Sequence, residues 1–178
     1  RCLVTCTNTS TDAYSTPVLV TINNPIYASY DGVSYTEDFE NWISGCDITE
    51  QPSVSWTNTP LTGNNSWRRN DQGTSASWTS TGGSYSPSFS QGAYSARFHS
   101  FNSTSGLQGS LRFYVDMSAA SGNTRLSFDH INTSGTDVVK VFVSTDGGVT
   151  ETQVGNNIGI SSTWTNKTFD FNSNSGTT

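Results

Sequence analysis

Apolar positions recur with a period of two wherever this chain reads most clearly, and that period predicts β-strands rather than helices. In residues 125–131, Leu126 and Phe128 fall on one face while Arg125, Ser127 and Asp129 fall on the other. Phe169 and Phe171 alternate with Thr168 and Asp170 in a strand read over 164–171. In residues 138–144, Val139, Val141 and Val143 oppose Val138, Lys140 and Phe142, which predicts a strand covered on both sides. Further strands are expected over 93–99 and 109–116, and Asp146-Gly147-Gly148 reads as a hairpin turn. A polar stretch over 44–83 carries weaker strand-like pieces at Val54-Ser55-Trp56, Trp67-Arg68-Arg69 and Ala76-Ser77-Trp78. At the start, Cys2, Val4 and Cys6 share one side of a strand. A polar turn over 8–15 and a second strand over 17–22 then complete a hairpin. The pattern divides the chain into a terminal hairpin (1–24), a connection (25–34) and a main domain (35–178).

Composition supports the same class. Ser and Thr make up 55 of the 178 residues, whereas Lys, Arg, Asp and Glu together supply 22, which leaves little helix-forming material. Five Trp, seven Tyr and nine Phe spread along the chain provide the core that a disordered Ser/Thr-rich segment lacks. The expected fold is therefore all-β: strands separated by Gly, Asn and Ser turns, arranged as an antiparallel jelly-roll-like β-sandwich. The formal charge is −6 and the isoelectric point about 4.6. Nucleic-acid binding needs a basic stripe, and the eight Lys and Arg residues are scattered apart from Arg68-Arg69, so no nucleic-acid partner is expected. No apolar run reaches membrane-spanning length, so no membrane insertion is expected. Low charge and heavy Ser/Thr/Asn use point to a secreted or cell-surface protein.

Catalysis finds little to stand on. Nucleophilic hydrolysis needs a base beside its nucleophile, and the two histidines, His99 and His130, read as surface or loop residues. The acids sit mostly in turn contexts such as Asp12, Asp31, Asp71 and Asp146, where Asp serves the backbone. No enzymatic activity is expected. Glycan binding has better material, because Trp56, Trp67, Trp78 and Tyr85 lie in the irregular half of the domain. There an aromatic face beside Arg68, Arg69 or Asn70 would take a sugar. Trp78, Arg68 and Arg69 are the ligand-binding candidates, while Trp42, Trp67 and Trp164 are expected in the core. Sequon-like triplets begin at Asn8, Asn64, Asn102, Asn132 and Asn166.

The order of motifs resembles the MAM-like jelly-roll domains, often labelled choice-of-anchor J and related to cleaved-adhesin modules, of secreted Bacteroidetes proteins. The pieces that carry the resemblance begin with Glu37-Asp38-Phe39-Glu40-Asn41-Trp42, Asn65-Ser66-Trp67-Arg68-Arg69-Asn70-Asp71 and Gly92-Ala93-Tyr94-Ser95-Ala96-Arg97-Phe98. Phe113-Tyr114-Val115-Asp116-Met117-Ser118, Leu126-Ser127-Phe128-Asp129-His130, Val141-Phe142-Val143-Ser144-Thr145-Asp146-Gly147-Gly148 and the Trp164 strand follow in order. The family closes with an apolar strand and an acidic motif, and the chain stops before it, so residues 35–178 are expected to lack the last strand. The Cys-x-Val-x-Cys opening resembles the last hairpin of an immunoglobulin-like domain, where a cysteine bridges to the opposite sheet.

These resemblances imply a longer parent chain, with neighbouring β-domains as partners. The immunoglobulin-like pattern leaves Cys2 as the better match for a cysteine upstream of Arg1, and Cys6 and Cys46 would then pair; buried free thiols are the alternative. The MAM-like pattern implies a structural calcium ion with Glu40 as a ligand and Asp71 as a second one, since Ca²⁺ takes hard oxygen donors. The alternative for Glu40 is a carboxylate that accepts backbone hydrogen bonds. The expected function is a non-catalytic extracellular adhesion or binding module whose partners are cell-surface or matrix glycans or proteins. The other reading is an accessory domain of a secreted metalloprotease or polysaccharide-degrading enzyme.

Overall fold

The computed structural model describes residues 3–6, 11–14, 25–30, 34–42, 51–74, 76–78, 87–120 and 123–171. Among the described residues the chain is all-β, with twelve strands and no helix. The strands associate as six pairs, five antiparallel and one parallel. The N-terminal hairpin joins β1 (Leu3–Cys6) to β2 (Thr11–Tyr14), with Cys6 opposite Thr11. Its return strand thus lies inside the segment expected as a turn. Thr11 and Tyr14 favour the pleat. The expected second strand over 17–22, and with it Cys2 and Cys46, lies outside the described residues.

The first half of the main domain is built side by side from β6 (Ala96–Phe98), β5 (Trp67–Arg69), β4 (Trp56–Thr59) and β7 (Ser110–Phe113). Backbone ladders join β5 to β6 and β4 to β7. Between β4 and β5 the buried Asn58 side chain substitutes for a ladder: its Nδ2 donates to Trp67 O at 2.8 Å and its Oδ1 accepts from Trp67 N at 3.3 Å. A primary amide carries the same donor and acceptor as a peptide group, so one side chain can close the gap. At Tyr114 the chain changes partner. Its N–H donates to Ser55 O (2.8 Å) while its carbonyl accepts from Ala28 N (3.0 Å), after which β8 (Val115–Asp116) runs parallel to β3 (Ala28–Ser29).

Two segments depart from strand geometry here for local reasons, one of them the strand-like piece expected at 76–78. In residues 35–42 the Glu37 carboxylate accepts Phe39 N–H (2.9 Å) and the Asp38 carboxylate accepts Glu40 N–H (3.1 Å), and Phe39 adopts φ 63°. Short acidic side chains that capture nearby amides compete with a strand ladder. The Phe39 ring nonetheless packs between Trp42 (6.1 Å) and Trp56 (6.3 Å), and Trp56 stacks on Phe113 (4.8 Å), which stacks on Tyr35 (4.5 Å). Residues 76–78 form a turn instead of a strand, because Ala76 N donates to Gln72 O, Trp78 N donates to Gly73 O, and Ser77 takes φ 58°.

In the second half, β9 (Thr124–Asn132) pairs with β12 (Ser161–Phe171), and β10 (Val139–Val143) pairs with β11 (Thr152–Ile158). Phe128 stacks on Phe169 at 6.0 Å. The Gly155 backbone lies so close to Phe169 that a Cβ there would stand 2.7 Å from its ring, which brings β11 against β12 at this point. The turn after β10 forms as expected: Gly147 and Gly148 take φ 72° and 91°, and the Asp146 carboxylate accepts Thr150 N–H at 2.9 Å. The expected two-sided cover of β10 is not observed. Val141 is buried, while Phe142 is 48 % and Val138 46 % exposed, because β10–β11 is an outer pair with one face toward solvent. Leu126 is likewise exposed although Phe128 is not. Trp42 is buried as expected, and Trp67 and Trp164 are half-buried.

Candidate functional site

The residues expected to form a metal site converge, but on an arginine. Arg69 leaves β5 with its Nε 2.8 Å from Asp71 Oδ1 and its Nη2 3.2 Å from Asp71 Oδ2, a two-pronged pair that occupies both carboxylate oxygens. Its Nη1 donates to the Glu40 carbonyl at 3.3 Å, and its guanidinium carbon lies 4.0 Å from the centre of the Tyr94 ring. The hydrogen bond to Asp71 raises the Arg69 pKa. The Glu40 carboxylate points the other way: Oε1 accepts Ala93 N–H at 2.7 Å and Tyr94 N–H at 3.0 Å. Gly92 lies against it with φ 74°, where any Cβ would overlap Oε1. Glu40 therefore ties the 35–42 segment to the 92–94 loop through backbone amides.

These groups do not fit a shared calcium site. A cation at Glu40 Oε1 would have to displace two amide donors, and one at Asp71 would have to displace a guanidinium. Among the described residues no group of three or more His, Cys, Asp or Glu side chains gathers as a metal cluster.

The ligand-binding candidates are separated by the strand's alternation. Arg68 points to the face opposite Arg69 and is wholly buried; desolvation pushes its pKa down to about 10. Trp78 is also buried, at 6 % exposure, with its Nε1 donating to Ser66 Oγ at 2.8 Å. It stacks on His99 (4.7 Å between ring centres, 11° between planes), and the Arg97 guanidinium carbon lies 5.0 Å from its own centre. A sugar cannot reach a ring enclosed in this way, so Trp78 and Arg68 are packing residues in this arrangement. The polar context that made them look like a surface site belongs to a turn folded over β5–β6. Asn70 is buried too, its Oδ1 accepting Ser95 N–H at 3.1 Å. Tyr85 lies outside the described residues.

Both histidines are buried, contrary to the expectation of surface or loop roles: His99 is 4 % and His130 8 % exposed. Desolvation lowers both pKa values, helped by Arg97 at His99 and by Lys167 at His130. The His99 imidazole acts as a flat packing group against Trp78. The alternation that placed them is ordinary strand geometry, and their titratable chemistry hid it.

Trp56 is the aromatic candidate that does line a depression. A groove of about 420 Å³ is bounded by Ile26, Gln51, Val54, Trp56, Thr57 and Tyr114. Ile26 and Val54 stand at its edge, 58 % and 57 % exposed, and none of its lining side chains is charged. Trp56 Nε1 is buried and has no hydrogen-bond partner among the described residues. The other wall is fixed by the tyrosines: Tyr114 meets Tyr27 edge-on at 5.8 Å, and each lies beside the glycine pair of the β10–β11 turn. Sequence patterning pointed to Trp56 but not to its neighbours, because Ile26 comes from the connection and Tyr114 from the far end of a strand. A second depression, about 340 Å³, lies between β10–β11 and the end of β12, lined by Val143, Thr152, Val154 and Phe171 with Asp170. Asp170 is held there by Arg125 (2.6 Å).

Comparison of the chain with family models, with curated proteins and with solved structures finds no match.

Proposed function

We propose that this protein is a non-catalytic extracellular binding module, of the adhesion type, whose contact site is the uncharged groove at Trp56. In this reading residues 35–178 are a MAM-like jelly-roll sandwich, residues 1–24 are the end of an immunoglobulin-like neighbour, and the ligand is a glycan or protein surface met outside the cell. The observation that carries it is the groove itself. Its volume lies within the roughly 300–1,000 Å³ typical of small-ligand sites, and it combines aromatic and aliphatic walls with a few polar groups, Gln51 and Thr57 among them. Both imidazoles, the bases that a Ser–His or Cys–His mechanism would use, are packed into the fold.

The test is a glycan array and a panel of matrix proteins, with wild type and Val54→Glu compared. Val54 is 57 % exposed, so the substitution leaves folding intact while placing a charge at the groove's edge. Binding is expected to fall at least about tenfold in the variant, equivalent to ~1.4 kcal/mol. Wild-type affinity should change little with salt, because no ion pair is available in the lining. Binding that survives Val54→Glu moves the site elsewhere. No binding to either panel by correctly folded protein removes the reading.

A further inference from the structure

The uncharged groove at Trp56 holds a polar side chain that the fold does not use. Gln51 lines it and is 8 % exposed. Among the described residues its side-chain amide makes no hydrogen bond, and neither amide atom is sealed from solvent, so both are reachable from the groove. Asn58, in β4, shows what such a group does when it has a partner, giving and taking a hydrogen bond at the backbone of Trp67. Gln51 carries the same donor and acceptor with no described residue to receive them.

The rest of the lining limits what can meet that amide. Ile26 and Val54 are aliphatic and more than half exposed, and Trp56 is held by its stacking on Phe113. No lining side chain is charged, so a ligand carboxylate or ammonium buried here would find no counter-charge. The bordering backbone is engaged as well. β4 pairs with β7, and the N–H and carbonyl of Tyr114 are bonded to Ser55 and Ala28. An extended peptide that adds to a sheet does so through main-chain hydrogen bonds, which this backbone cannot supply. Recognition falls to one amide within an aliphatic and aromatic surround.

Building on the binding-module reading above, we infer that the groove takes the acetamido group of a neutral N-acetylhexosamine in a glycan. That group offers an N–H and a carbonyl to the Gln51 amide, and a methyl to Ile26 and Val54. A plain hexose carries a hydroxyl in its place and leaves the aliphatic edge without a partner. A deacetylated amino sugar carries an ammonium that nothing in the lining neutralises.

NMR titration of the intact protein with the methyl glycosides of N-acetylglucosamine, N-acetylgalactosamine, glucose and galactose tests this, read at the Trp56 indole and the Gln51 side-chain amide. At least one N-acetyl sugar should shift both resonances and bind about tenfold more tightly than its parent hexose. Gln51→Met, which fills a similar volume without the amide, should bring that ratio below about threefold. Val54→Ala, at an exposed position that folding tolerates, should also lower it. A ratio unchanged in both variants would overturn the inference. A hexose that binds as tightly as its N-acetyl counterpart, and stops binding in Val54→Glu, would overturn it while the groove remains the contact site. Binding of a peptide or matrix protein at the groove without any sugar binding would overturn it in favour of a protein ligand. If no sugar, peptide or matrix protein shifts either resonance, the groove itself is lost as the contact site.

Discussion

Gly109→Ala should destabilise the protein by about 3 kcal/mol or more, among the largest single losses available in this chain. A Cβ at Gly109 would overlap the Asn65 carbonyl oxygen and stand 2.7 Å from the Phe98 ring. The first obstacle is backbone, so no rotamer change relieves it. The carbonyl of Gly109 also accepts the Trp67 indole N–H at 3.2 Å, so moving this backbone breaks a contact in β5 as well. Asn65 is itself fixed by its N–H to His99 O and by its side chain to Ser103. For a domain of this size the midpoint should drop by roughly 6–12 °C. A circular-dichroism melt of the variant checks it. A shift under ~2 °C would mean that β5 and the start of β7 are not in contact as described.

Glu40→Ala should cost about 2 kcal/mol, and the cost should be the same with and without calcium. Removing the carboxylate takes a charged acceptor from Ala93 N–H and Tyr94 N–H and frees the 35–42 segment from the 92–94 loop. Glu40→Gln should retain most of the stability, because its amide oxygen can accept the same two bonds. Thermal unfolding of wild type and both variants, in EGTA and in millimolar calcium, separates this account from the ion. A wild-type midpoint that rises with calcium and stops doing so in Glu40→Gln would restore the carboxylate as a calcium ligand. Stabilisation by an ion that binds only the folded state would then follow its concentration.

Legibility in the sequence varied with the kind of force involved. The 125–131 and 164–171 strands were readable because Phe128, Phe169 and Phe171 alternate with polar residues, and burying one face leaves that signature. The Asp146-Gly147-Gly148 turn was readable because positive φ selects glycine. The weaker pieces divided: Trp67–Arg69 is a strand, but residues 76–78 are not, since Gln72 and Gly73 carbonyls capture their amides. The opening Glu37-Asp38-Phe39-Glu40 run forms a bend, because its acids bond to its own backbone.

The sequence by itself determined the all-β class, most of the later strands, and the turn chemistry between them. These follow from side-chain alternation and from local backbone preference, both of which act over a few residues. Tertiary structure decided which face each functional side chain took and what covered it. Arg68 and Arg69 are adjacent and chemically identical, yet one is wholly buried and the other pairs with Asp71. Glu40 found its partners at Ala93 and Tyr94, more than fifty residues away, and Trp56 shares its groove with Ile26 and Tyr114. Such contacts arise from packing distant segments together. Local patterning carries no record of them, because a polar residue beside an aromatic reads the same whether the pair lines a surface or closes a core.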